Sequence, residues 1–288
     1  MTDSVSNPRF PRIYCVGAAV LLLAVTLFVS GCVGNNSHEE RRTISVIGST
    51  TVLPVGQAGA DAYMDIHRYD EILVSGGGSG GGIKAVGEGT ADIGMASRDI
   101  SANEKQQYPT LVEHIVAVDG IALIVHPSNP VTTLTMDEVK AIYKGEITNW
   151  KDLGGNDRSI VPVGRDSASG TREFFYEVVM HKEEFVRTQQ ELNSNGAVKQ
   201  TVAQTPDAIG YVGLGYLDTT VATVTINVNG KPVVPTIENI KDASYPIARG
   251  LNMYTQGQPS GLVKDYLDFL MSADGQRIVA EQGFVPVK

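Results

Sequence analysis

Cysteine is nearly absent from this chain: Cys15 and Cys32 are the only two, and both fall near the amino terminus. The remainder of the chain, from Val33 onward, has no disulfide to build and no thiol for nucleophilic chemistry. Histidine is sparse too, five residues scattered along the sequence, with no Cys/His cluster at ligand spacing, so no metal site is expected. Basic charge is not in surplus either, since 32 Asp and Glu outnumber 23 Lys and Arg for a formal charge of -9. A nucleic-acid partner favours a basic face, and that class of function is set aside. A repeat of fixed period is also missing.

What is present begins with a targeting signal. Arg9 and Arg12 precede an apolar run, Ile13 to Val29, that ends in Val29-Ser30-Gly31-Cys32. Small residues followed directly by cysteine resemble the processing site of a lipoprotein, so residues 1–31 are expected to be a signal peptide and Cys32 the lipidated first residue. The competing reading is an uncleaved transmembrane anchor, since the run approaches the ~18 apolar residues that span a bilayer. Either way the chain is tethered outside the cytoplasmic membrane. Residues 32–42 are polar and read as a tether.

The rest is 42% hydrophobic in composition and long enough for two domains. Thr43 to Ile47 alternates as a strand and leads through Gly48-Ser49-Thr50-Thr51 into a helical pattern reaching about His67. Glu71 to Ser75 is a second strand, followed by the glycine loop Gly76-Gly77-Gly78-Ser79-Gly80-Gly81-Gly82 and another helix start. A short strand over Ala91 to Ala96 ends in Ser97 and Arg98. Val116 to Val125 is a long buried-strand pattern expected to pass between domains, and Thr135 to Tyr143 is a capped helix. Ser159 to Val163 is a strand leading into Gly164-Arg165-Asp166-Ser167-Ala168-Ser169-Gly170-Thr171, and a helix is expected from Phe174 to about Leu192. Val221 to Val228 leads to an Asn229-Gly230 hairpin turn, Tyr245 to Tyr254 is a return crossing, and two helices, about 261–272 and 273–282, close the chain. The fold class is therefore α/β.

Four strand ends, at Ser49, Ser79, Ser97 and Ser169, present hydroxyls or glycine backbone, and two add an arginine, Arg98 and Arg165. Open α/β sheets bind ligands at the carboxyl ends of their strands. Free N–H groups of helix starts, hydroxyls and guanidinium groups together suit a small anion. A protein of net negative charge must hold such a guest by short, directed hydrogen bonds.

These same residues resemble a known family. Gly48-Ser49-Thr50-Thr51 with Pro54, Gly78-Ser79-Gly80, Asp92 to Arg98, Ile142-Tyr143-Lys144-Gly145-Glu146-Ile147-Thr148-Asn149-Trp150, Arg165 with Ser169-Gly170-Thr171, and the closing Ala273-Asp274-Gly275-Gln276 with Glu281 to Val287 look like the phosphate-binding protein of the high-affinity phosphate ABC transporter. The resemblance runs in order from about Thr43 to the end. It implies a two-lobed, type II periplasmic-binding-protein fold, with lobe 1 in residues 43–120 and 248–288, lobe 2 in 121–247, and hinge strands between. It implies a monomer that grips inorganic phosphate at the hinge, with Thr50, Thr51, Ser79, Arg165, Ser169, Gly170 and Thr171 in ligand positions. Such a protein hands its cargo to the permease subunits of the transporter, makes or breaks no bond and needs no cofactor. Ser49, Ser97 and Arg98 join the candidate set from their strand-end positions.

One departure bears on selectivity. Some family members have an aspartate directly after this Ala-Ser and use it to accept the proton of hydrogen phosphate, which sulfate lacks; this chain has Arg98 there, with Asp99 one step on. Arg98 is expected to offer bidentate donors to either anion. Asp92, Asp99 and Asp166 are the candidates for an inward carboxylate, each with the alternative of pairing to a neighbouring arginine. The competing ligands are sulfate, molybdate and tungstate. Gly77-Gly78-Ser79-Gly80-Gly81 also fits the G-x-S-x-G nucleophile elbow of a serine hydrolase, and Gly76, Gly78 and Gly81 fit a dinucleotide loop, but neither match has its required second component.

Overall fold

The computed structural model describes residues 41–288; the expected signal peptide, the lipidation at Cys32 and all but the end of the tether lie outside them. Within Arg41–Lys288, a single compact unit, β1 (Arg42–Gly48), α1 (Leu53–Ile66), β2 (Asp70–Gly76), α2 (Ser79–Gly87), β3 (Ile93–Ala96) and α3 (Ala102–Gln107) come first. The long strand β4 (Leu111–Val125) is next. Then come β5 (Thr133–Thr135), α4 (Met136–Lys144), β6 (Val161–Arg165), α5 (Gly170–Val178), β7 (Gln190–Leu192), α6 (Asn195–Gln204), β8 (Ala208–Gly213), β9 (Ala222–Val228), β10 (Lys231–Val233) and α7 (Ile237–Lys241). The chain returns along β11 (Ala248–Gln256) and ends in α8 (Gly261–Leu270) and α9 (Ala273–Glu281).

The strands run in the order β2-β1-β3-β11-β4-β8-β6-β7, with β9 pairing to β4, β5 and β10. β1 is parallel to β2 and β3, and β6 is parallel to β7 and β8. β4 joins the two halves. From Leu111 to Gly120 it pairs antiparallel with β11, and from Ile121 to Val125 with β8 and β9. Apolar burial follows the same division. Val46, Ile93, Met95, Leu251, Met253, Tyr266 and Phe284 pack together in one half, and Ile121, Leu123, Tyr143, Trp150, Phe175 and Tyr211 in the other. In the second core the Phe175 and Tyr211 rings stack at 4.2 Å. This is the two-lobed α/β architecture expected from the sequence.

Local chemistry sets the boundaries. α4 opens with a full capping box: the Thr135 hydroxyl accepts from the Glu138 N–H, and the Glu138 carboxylate accepts from the Thr135 N–H. Asn229 and Gly230 both have positive φ, as the hairpin between β9 and β10 demands. The expected helix from Phe174 to about Leu192 is not formed. α5 stops at Val178, His181 and Lys182 take left-handed backbone, and Gln190–Leu192 extends as β7 to pair with β6. Sheet pairing at this edge overrides helical spacing, and a separate helix, α6, begins three residues later.

Candidate functional site

The carboxyl ends of the parallel strands meet at the junction of the lobes, because β1, β2, β3 and β6 each turn there into a loop. Ser49, Thr50 and Thr51 follow β1, Ser79 opens α2, Ser97 and Arg98 follow β3, and Ser169, Gly170 and Thr171 form the start of α5 after Arg165 closes β6. All these side chains are buried. Contacts across the lobes are direct. The Thr51 and Thr171 hydroxyl oxygens are 3.0 Å apart, and the Gly80 N–H donates to the Ala168 carbonyl at 3.2 Å. Gly170 must be glycine in this arrangement, because a Cβ there would lie 2.3 Å from Ser79 Oγ. Gly78, at φ 80°, faces Ala168 equally closely.

Beneath the hydroxyls lies a charge pair that the strand-end pattern did not reveal. Arg249 of β11 donates through Nη2 and Nε to Asp119 of β4, at 2.8 and 3.1 Å. Its Nη2 also donates to Thr171 Oγ1 at 3.0 Å and to Thr51 Oγ1 at 3.4 Å. Asp119 accepts further from the Leu214 N–H at 2.9 Å. Burial pushes the Asp119 carboxyl up and the Arg249 guanidinium down, and each charge offsets the other's shift. Asn195, at the start of α6, is also new: its Nδ2 donates to Thr50 Oγ1 and Thr51 Oγ1 at 3.1 and 3.0 Å, while its Oδ1 accepts from the Gly213 N–H. A sequence signal existed for the ion pair. Asp119 and Arg249 are opposite charges inside two strands otherwise apolar enough to be buried, and buried charges need partners.

The two arginines expected from the sequence differ in what they do. Arg165 is buried, and its Nε and Nη2 donate to the Leu192 and Asn193 carbonyls, both at 3.1 Å. Burial lowers its pKa, and Arg249 adds to that, against Asp166 and Tyr211. Arg98 does not present a free fork. Its Nη1 and Nη2 donate to the two oxygens of Glu104 at 2.7 and 2.8 Å, and Nε pairs with Glu173 of the opposite lobe. The expectation of bidentate anion binding by Arg98 is corrected accordingly: carboxylates already hold its donors.

The candidate aspartates separate cleanly. Asp92 is exposed and accepts from the Ser45 N–H and hydroxyl, at 2.7 and 2.9 Å. Asp99 is exposed as well. Asp166 lines a cavity of about 330 Å³ between the lobes, together with Thr50, Gly76, Gly77, Gly78, Ala168 and Ser194, and its Oδ1 is buried without a hydrogen-bond partner. Ser79 Oγ accepts from the Ser97 N–H at 3.0 Å and lies 3.4 Å from Ser97 Oγ. The histidines whose rings are hydrogen-bonded contact Thr255 and Ser128 instead. That leaves the nucleophile-elbow reading without a general base for Ser79 among the described residues.

Comparison with known proteins agrees with this geometry. A family profile described as a PBP superfamily domain matches residues 34–274. The phosphate-binding protein PstS of Bacillus subtilis (strain 168) is 35% identical over 284 residues, covering 93% of this chain and 93% of the relative. The protein of the same name from Borreliella burgdorferi is 30% identical over 279 residues, covering 93% and 99%. A crystal structure from Clostridium perfringens, of a phosphate ABC transporter substrate-binding protein with bound phosphate, superposes with a TM-score of 0.81 at 40% identity, over 86% of this chain and 100% of that one.

Proposed function

This chain belongs to the PBP superfamily and, within it, to the phosphate-binding proteins, and from that premise we propose that it captures inorganic phosphate outside the cell and delivers it to the permease of an ABC transporter. The observation that carries the reading is convergence. Hydroxyls from the ends of β1, β2 and β6, the N-terminus of α5 and the Arg165 and Arg249 guanidinium groups meet in one buried place. A tetrahedral oxyanion must exchange its hydration for donors on every side, and this cluster is rich in them. Ser49, Thr50, Thr51, Ser79, Ser97, Arg165, Ser169, Gly170 and Thr171 form the proposed binding set, with Asp119, Arg249 and Asn195 holding it in place. Arg98 stays in the set only through its backbone and as a clamp between lobes.

The lobes are assigned to residues 43–120 with 248–288 and to 121–247, a division supported by the separate apolar cores and by the change of partners along β4. The protein performs capture and release and no chemistry. It acts as a monomer anchored through lipid on Cys32, a reading supported by the sequence of residues 29–32; no helix of the described residues is long and apolar enough to cross a membrane. Titration calorimetry with inorganic phosphate tests the function. Binding that falls about a hundredfold in Arg165→Ala supports it, in line with the cost of removing a charged hydrogen-bond donor; no heat of binding from the wild-type protein refutes it.

A further inference from the structure

Arg98 stands where some relatives carry a proton-accepting aspartate, so the question of which protonation state the cleft takes passes to its other groups. The hydroxyl oxygens around the cleft already accept N–H donors from the protein. Ser49 Oγ accepts from the Thr51 N–H at 3.1 Å, Ser79 Oγ from the Ser97 N–H at 3.0 Å and Ser169 Oγ from the Arg172 N–H at 3.2 Å. Thr50 Oγ1 accepts from Asn195 Nδ2 at 3.1 Å. Thr51 Oγ1 accepts from both Asn195 and Arg249. With both lone pairs engaged, its own proton is left for the neighbour 3.0 Å away, Thr171 Oγ1. Thr171 Oγ1 accepts from Arg249 as well, so its proton in turn is free to point outward. Arginine cannot accept, and Asn195 is held in its donating orientation by the Gly213 N–H on its Oδ1. The chain of protons therefore runs one way.

We propose that Arg249, seated on Asp119, is a specificity-determining residue that turns this wall of the cleft into a set of donors. Resting on the phosphate reading above, the inference is that the site takes tetrahedral dianions by charge and shape, sulfate included, without requiring a proton on the guest. The carboxylates nearby support this. Asp119 is committed to Arg249 and the Leu214 N–H, and Glu104 and Glu173 to Arg98. Asp166 alone among them has a buried oxygen without a partner. Arg249 itself has a buried Nη1 with no partner, a further donor beside the same hydroxyls.

Calorimetric titration of the protein with inorganic phosphate and with sulfate, at about pH 6 and about pH 8, spans the loss of the second phosphate proton. The expected result is sulfate affinity within about tenfold of phosphate affinity, and phosphate binding that strengthens toward pH 8. Arg249 substitutions risk the fold, so Thr171→Val, which leaves the Arg249–Asp119 pair intact, is the decisive variant. It is expected to weaken both anions in parallel, by about tenfold, because a donor to either guest is lost. A Thr171→Val loss confined to phosphate overturns the proposal, since that hydroxyl would then be accepting the guest's proton. Rejection of sulfate by the wild type, relieved in Asp166→Asn, overturns it too and makes Asp166 the proton acceptor. Phosphate binding with no measurable sulfate binding in either protein is likewise contrary. A wild type that binds neither anion removes the phosphate reading along with this one.

Discussion

Glu173, in the first turn of α5, forms an ion pair with Nε of Arg98, which stands at the end of β3 in the opposite lobe. The remaining donors of Arg98 are fixed on Glu104, whose carboxylate also caps α3 through the Ser101 N–H. The guanidinium is thus preset on one lobe, and Glu173 arrives with the other.

Glu173→Gln is expected to weaken anion affinity by only about threefold, because the Glu173 side chain is 41% exposed and solvent screens the pair. The same pair has a pH signature. Burial raises the Glu173 pKa, with Arg98 opposing; the contact needs the carboxylate, so it is present above that pKa and lost as pH falls. Affinity measured by calorimetry should therefore decline more steeply on acidification in the wild type than in Glu173→Gln.

Gly170→Ala separates closure from folding. The added methyl meets Ser79 of the other lobe at 2.3 Å but no backbone strain at its own position. The melting temperature is expected to stay within a few degrees of wild type, while phosphate binding falls about a hundredfold or more. Small-angle scattering in phosphate should show the variant failing to compact as the wild type does.

Asp119→Asn tests the floor of the site. Removing one charge leaves Arg249 buried without its counterion, with an expected loss of about 3–5 kcal/mol of unfolding free energy by denaturant titration. The double variant Asp119→Asn with Arg249→Met should regain much of that stability and none of the anion affinity. A double variant as unstable as the single one would show that the pair's geometry matters more than its charge.

Asp70 supplies a test away from the site. Its carboxylate accepts from Arg42 Nη2 and Nε at 2.6 and 2.8 Å and from the Tyr63 hydroxyl at 3.1 Å, and the bond from Arg42 holds its pKa below the ordinary value, against burial. A depressed folded pKa contributes stability that is present above the unfolded value near 3.8 and lost as pH falls through the folded one. Asp70→Asn should lower the melting temperature at neutral pH, and the difference from wild type should shrink below about pH 4.

The sequence by itself determined the strand–loop–helix order, the hydroxyl-rich ends of β1, β2, β3 and β6, the capping of α4 and the turn at Asn229-Gly230, because each is written in neighbouring residues whose backbone preferences and hydrogen bonds are local. It also carried the family motifs. It did not end α5 at Val178: nothing in the segment after Phe174 breaks a helix, and pairing of Gln190–Leu192 with β6 is a long-range choice. Only the tertiary structure decided that Arg98 answers to Glu104 and Glu173, that Asp166 is the aspartate facing the cavity, and that Arg249 reaches Thr51 and Thr171. Those assignments join residues as far as 198 positions apart. Which donor meets which acceptor there follows from how two sheets are brought together through β4 and β11, and local sequence preference contains no term for it.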